Sequence, residues 1–230
     1  MKLETLSELN AERAARRPVI VVTAVATGAQ RLVKAAGIAA DPLCTELTRQ
    51  LRMGKSGMIE AGGERLFLNV YAPTARLVII GAVHISQALA PLARSLDYDV
   101  TVVDPRTAFA SPERFPDVPL IAEWPDVALP PLNLDHYTAF VALTHDPKID
   151  DPALLHAFQR DCFYIGALGS RKTHAKRGER LKAQGAGDAD IARIHAPIGL
   201  PIGAVSPSEI AVSIMAEITA QLRLPKEAAA

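Results

Sequence analysis

Beyond residue 73 short apolar runs alternate with stretches of helical spacing, and this alternation limits the possible folds more than any other feature. Leu77-Val-Ile-Ile80 and Val100-Thr-Val-Val103 are apolar and β-branched, the composition of buried strands. Between them Ile85, Leu89, Leu92 and Leu96 share one helical stripe, which Pro91 should bend. Apolar runs at 120–121, 139–143 and 163–165 follow, separated by helical or irregular segments. Two helices are predicted near the end, over about 170–184 and 207–222. The second opens on the capping box Ser206-Pro207-Ser208-Glu209 and buries Ile210, Ile214, Ile218 and Leu222. Strands alternating with helices at short spacing imply a Rossmann-like, doubly wound parallel sheet.

The first 73 residues read differently. Leu3, Leu6 and Leu9 have helical spacing that Pro18 ends, and residues 18–25 form a continuous β-branched run. Residues 43–53 are predicted helical, with Asp41 as N-cap and Pro42 at the first helical position. Residues 57–72 alternate about Gly62-Gly63, a hairpin signal. The expected organisation is a small N-terminal α+β domain over 1–73 and a Rossmann-like domain over 74–230, with the alanines at 228–230 fraying.

Charge excludes one class of partner. The 230 residues carry 25 basic and 25 acidic side chains, so no net field attracts a polyanion, and no nucleic-acid partner is expected. The neutrality is a sum: residues 1–73 hold ten basic against seven acidic groups, residues 74–230 fifteen against eighteen. With only Cys44 and Cys162 there is no disulfide framework, which points to a reducing compartment. Glu4, Glu8 and Glu12 stand where a signal peptide needs apolar residues, and no apolar stretch approaches the roughly 20 residues of a membrane span. A cytoplasmic protein is expected.

In an open parallel sheet ligands bind beyond the carboxyl ends of the strands. Four segments lie there. Gly81-Ala82-Val83-His84 follows the first strand of the second domain; a dinucleotide fingerprint needs glycine at 81, 83 and 86, and only Gly81 is present. His84 is read equally as an anion donor or a helix cap. Asp104 lies 23 residues beyond Gly81, near the spacing of an acid that accepts from ribose hydroxyls; Arg106 beside it suits a phosphate, and a turn capped by the aspartate is the alternative. Thr144, His145 and Asp146 end the 139–143 run and suit a pocket edge, against a plain helix cap by Asp146 before Pro147. Gly166, Gly169, Ser170 and Arg171 combine two glycines, a hydroxyl and a cation, as a phosphate nest requires. The six cations between 171 and 182 otherwise read as a solvated helix face, Arg171 and Lys172 being nearest the turn. Cys162 reads as inert core, and Cys44 as structural or, at a helix start, activated. The scattered histidines give no metal-ligand pair.

Taken in order, these segments resemble the xanthine dehydrogenase accessory family, the molybdenum-cofactor insertion proteins of the XdhC/CoxI type. The resemblance runs from about Pro73 to Leu222 and rests on Leu77-Val-Ile-Ile-Gly-Ala-Val-His-Ile85, Val102-Val-Asp-Pro-Arg106, Leu143-Thr-His-Asp146, Tyr164-Ile-Gly-Ala-Leu-Gly-Ser-Arg171, Gly199-Leu-Pro-Ile-Gly203 and Pro207-Ser-Glu-Ile-Ala211. The N-terminal part resembles a shortened first domain of that family, at residues 23–28 and Cys44-Thr45-Glu46. One departure is Val83, where the family reads Gly-Ala-Gly-His.

The resemblance implies a non-catalytic chaperone that binds molybdenum cofactor, as molybdopterin or its dinucleotide form. It would hold the cofactor while a cysteine desulfurase adds a terminal sulfur, then deliver it to a molybdenum hydroxylase client; a homodimer is also implied. On that reading Gly81, His84, Gly166, Gly169, Ser170 and Arg171 hold the phosphate end. Asp104 and Arg106 read the adjacent sugar or second phosphate, Thr144, His145 and Asp146 contact the pterin or its metal, and Cys44 is a candidate for handling sulfur. An NAD(P)-dependent oxidoreductase and a nucleotide-sensing module remain the alternatives.

Overall fold

The computed structural model describes residues 1–225; the alanines at 228–230 lie outside them. The chain divides into two compact units, Met1–Pro73 with Arg223–Pro225, and Thr74–Leu222.

In the first unit the order is α1 (Leu3–Ala14), β1 (Val19–Ala24), β2 (Gln30–Lys34), a 3-10 turn (Ala35–Ala40), α2 (Cys44–Met53), β3 (Gly57–Ala61) and β4 (Glu64–Tyr71). The strands form an antiparallel sheet in the order β2-β1-β4-β3. Gly62 and Gly63 both have positive φ, so β3 and β4 are joined by a two-residue turn that only such backbones admit. Because side chains alternate along a strand, Ile20 and Val22 pack toward Leu47 of α2, while Val19 and Val21 pack toward Leu9 of α1. The start of α2 differs from expectation. Asp41 does not cap it: the Asp41 carboxylate accepts from the Leu43 amide at 2.9 Å and pairs with Arg31, so the helix begins only at Cys44. The Asp41 turn lies ahead of the helix, and the N-cap position falls to Leu43, whose side chain makes no cap bond.

The second unit runs β5 (Arg76–Ile80), α3 (His84–Ser95), β6 (Asp99–Val103), β7 (Leu120–Ile121), α4 (Pro125–Ala128), β8 (Thr138–Ala142), α5 (Pro147–Phe158), β9 (Tyr164–Ala167), α6 (Arg171–Ala183), α7 (Asp188–Ala192), β10 (Ile194–His195) and α8 (Pro207–Arg223). Its six strands are ordered β10-β9-β8-β5-β6-β7, and every neighbouring pair is parallel. This is the doubly wound sheet that the alternation of runs and helices predicts. Both faces are covered, so the strands carry no polar alternation. Leu77, Ile79 and Val141 face Leu89 of α3 and Ile214 of α8; Val78, Ile80 and Phe140 face Leu154 of α5 and Leu181 of α6. Burying each such side chain contributes about 1.5–3 kcal/mol. The capping box forms at α8: Glu209 accepts from the Ser206 amide at 2.8 Å, and Ser206 Oγ from the Glu209 amide at 3.3 Å. Pro91 lies within α3 without ending it.

Candidate functional site

The strand order reverses between β5 and β8, since the chain moves outward from β5 to β6 and β7 and returns to start β8 on the other side. Ligands of such sheets enter the crevice at the carboxyl ends beside that reversal. Gly81 leaves β5 and Thr144 follows β8, and the two touch: a Cβ on Gly81 would lie 2.7 Å from Thr144 Cγ2. At φ 110 Gly81 also occupies backbone space that other residues avoid.

The turn at Gly81 is fully satisfied from within. The Gly81 amide donates to Val103 O at 2.8 Å and its carbonyl accepts from Ser86 Oγ. The Ala82 amide donates to Asp104 Oδ2 at 2.7 Å, and its carbonyl accepts from Arg114 Nη1 at 2.9 Å. The amides of residues 83–86 are different. They open the 12-residue helix α3, have no intrahelical acceptor, and receive no side-chain cap. Free amides at a helix start are the kind of group that anions bind. His84 is the exposed first residue of that helix and does not cap it. Val83 has extended backbone, φ −97 and ψ 175, so nothing in its conformation demands glycine, and it packs against the core on the α3 side.

Asp104 and Arg106 form one internal unit. Asp104 is wholly buried; its Oδ1 accepts from Arg106 N and Nε, both at 2.9 Å, and its Oδ2 from Arg106 Nη2 at 2.8 Å as well as from Ala82. Burial alone would raise its pKa, but the Arg106 guanidinium and the two amides outweigh it and hold the carboxyl below its ordinary range. Arg106 in turn lies 4.6 Å from the centre of the Phe109 ring. The carboxylate that the spacing assigned to ribose hydroxyls is engaged in holding the Gly81 turn.

After β8, Thr144, His145 and Asp146 are brought together by a residue the sequence reading did not single out. Asp150, 2% exposed, accepts from Thr144 Oγ1 at 2.7 Å and from the His145 amide at 3.0 Å. Burial raises its pKa, partly offset by the Thr144 hydroxyl and by Arg177. The bonds hold His145 at φ 62 with its imidazole exposed. Asp146 caps α5, accepting from the Lys148 amide at 2.9 Å.

After β9 the arrangement separates residues that were grouped in sequence. Gly166 lies inside the strand, where a Cβ would meet Ile198 Cδ1 at 2.6 Å; it makes room for packing. Gly169, at φ 134, forms the turn, and Ser170 caps α6 through the Thr173 amide at 3.2 Å. Arg171 and Lys172 are exposed. The buried cation here is Arg177, 2% exposed, whose Nη2 donates to Leu168 O at 2.7 Å. A helix count of six residues from Arg171 already turns Arg177 off Arg171's face, but which face is buried follows only from the packing on the sheet.

Outside the crevice, Cys162 is core, and burial pushes its thiol up to about 12. Cys44 is the half-buried first residue of α2. A cleft of about 480 Å³ in the first unit is lined by residues including Val22, Pro42, Leu43 and Glu64; its Arg31 is engaged by Asp41, and it contains none of the residues assigned a chemical role from sequence. Among the described residues no group of three or more His, Cys, Asp or Glu side chains is placed to hold a metal, and no helix is long and apolar enough to cross a membrane.

Comparison with known proteins agrees with this architecture. The family model described as the XdhC Rossmann domain matches residues 77–218. A probable xanthine dehydrogenase subunit of Bacillus subtilis is 34% identical over 154 residues, covering 66% of this chain and 44% of that protein. The molybdenum cofactor insertion chaperone PaoD of Escherichia coli is 32% identical over 157 residues, covering 68% of this chain and 43% of that protein. The chain thus spans under half the length of these curated relatives. A crystal structure of a xanthine dehydrogenase from Bacillus halodurans superposes with a TM-score of 0.66 at 24% identity, over 99% of this chain and 66% of that one, a likeness of fold. The family match covers more than half of the sequence, and this chain belongs to the XdhC family.

Proposed function

We propose that the chain is an accessory protein that binds molybdenum cofactor and passes it to a xanthine dehydrogenase-type molybdenum hydroxylase. Finer parts of the proposal are that it shelters the cofactor while a cysteine desulfurase adds the terminal sulfur, and that its role is carriage and not turnover. The observation that carries the reading is the uncapped start of α3 beside a turn whose own polar groups are all engaged. A pterin cofactor bears a phosphate, or a pyrophosphate in its dinucleotide form, and such a group supplies the acceptors that residues 83–86 lack. In this reading His84 donates to the same anion, and Ser170 and Arg171 meet a second one. In the same reading His145, whose amide is held by Asp150, meets the heterocycle. The relatives named for xanthine dehydrogenase and for cofactor insertion support the same choice of cargo.

Nicotinamide dinucleotides are the competing ligand. They are disfavoured because the Asp104 carboxylate is occupied by Arg106 and Ala82. The test is anaerobic incubation of the purified chain with molybdenum cofactor, NADPH or ATP, followed by ultrafiltration. Retained molybdenum and pterin in equal amounts are expected. Passage of the pterin, together with oxidation of NADPH, would overturn the reading.

A further inference from the structure

Beside the last strand a second set of side chains is organised around a half-buried acid. Glu217 of α8 accepts from Tyr164 Oη at 2.5 Å, from the Gly199 amide at 2.8 Å, and lies 3.1 Å from His195 Nδ1. The His195 ring stacks on Tyr164 with centroids 4.6 Å apart. Burial alone would raise the pKa of Glu217, but His195, Tyr164 and the Gly199 amide together bring it below the ordinary range. An ionised carboxylate only accepts, so the hydrogen between it and His195 belongs to Nδ1, and in the neutral ring Nε2 presents its lone pair. Among the described residues the ring is bonded through Nδ1 alone, and the side chain is 27% exposed.

Its position gives the lone pair a purpose. His195 ends β10 and stands opposite Gly166 of β9. At about 4.8 Å per strand, β10 is roughly 10 Å from β8 and roughly 14 Å from β5. A nucleotide-bearing cofactor on this sheet lies across the strand reversal, one half over each set of three strands. With its phosphate at α3, a half lying over β8, β9 and β10 would end near His195.

We infer that His195, with its tautomer set by Glu217, accepts a hydrogen bond from a ring N–H of the heterocyclic half of the bound cofactor. Glu217 is then a positioning residue, and Tyr164 a platform that fixes the ring plane. The same arrangement orients histidines toward metals elsewhere: a carboxylate on one nitrogen leaves the other directed outward. The segment from Gly199 to Gly203, which has no ligand role in the cofactor reading, acquires one here, because the Gly199 amide holds the carboxylate in place. The inference rests on the proposed cargo.

The test uses the full chain with 15N-labelled histidine, titrated anaerobically with molybdenum cofactor released from a purified hydroxylase. Retention is followed by pterin fluorescence after oxidation, and the ring nitrogens by NMR. In the free protein His195 should show the Nδ1–H form, and its Nε2 resonance should move on binding. His195→Phe keeps the stacked ring without its nitrogens and should weaken retention about tenfold. Glu217→Gln should shift the ring toward the other tautomer and weaken retention to a similar degree. If the cofactor binds while the Nε2 resonance stays fixed, or His195→Phe retains it as tightly as wild type, His195 is structural only and the cargo assignment stands. If the wild-type chain retains no cofactor, both fall.

Discussion

Asp104 has no exposure and four hydrogen bonds, from two amides and a forked guanidinium. Asn removes the charge and sets an NH2 donor against either the Ala82 amide or the Arg106 donors, so Asp104→Asn should cost about 2–3 kcal/mol in urea denaturation at pH 7. The sign of the pH effect follows from its lowered pKa. Its stabilisation is full above the unfolded value of about 3.9 and is lost as the pH falls through the lower folded value. The wild type should therefore lose stability from about pH 4 downward more steeply than Asp104→Asn. Asp150 acts oppositely, since burial raises its pKa and its ionisation costs stability as the pH rises. A second contrast separates glycines. Gly81→Ala combines φ 110 with a Thr144 contact at 2.7 Å and should cost about 2–3 kcal/mol. Gly37→Ala meets nothing within 4 Å and should fall within about 0.5 kcal/mol of wild type in the same titration.

The elements differ in how far their sequences announce them. β5, β6 and β8 are legible because a strand covered on both faces must be apolar throughout, and only the parallel layered sheet creates that demand. α8 is legible because its cap is local: Ser206 and Glu209 are three residues apart and satisfy each other. Ser206→Ala should cost about 1 kcal/mol in thermal unfolding, and substitution of the exposed Val212 by Ala much less. The start of α2 departs from its expected cap because Asp41 has a competing partner in Arg31, ten residues away. The crevice follows the same division. Its turns can be located because they must follow strands. The groups that hold those turns cannot: Arg114 reaches Ala82 across 32 residues, and Arg177 reaches Leu168 from two helical turns on. Such bonds depend on which helix face meets the sheet, and spacing alone does not state it.

At the scale of the whole molecule, balanced charge has a colloidal consequence. With a pI near 7.0 the chain carries no net repulsion between copies at neutral pH, so light scattering should show a solubility minimum there and clear on moving two pH units either way. The anion site proposed above is local, made of amides and one or two side chains. Retention of a phosphate-bearing ligand should weaken only modestly between low and high salt, whereas a steep dependence would indicate a broad basic surface. The turn at Gly81 and Ala82 sets the tempo of that binding. All four of its backbone groups find partners when the chain folds, so the turn is ordered before the proposed anion arrives and needs no rearrangement to receive it. Capture should proceed in a single bimolecular phase under stopped flow. Arg114→Ala, which frees the Ala82 carbonyl, should add a slower, concentration-independent phase as the loosened turn finds its place.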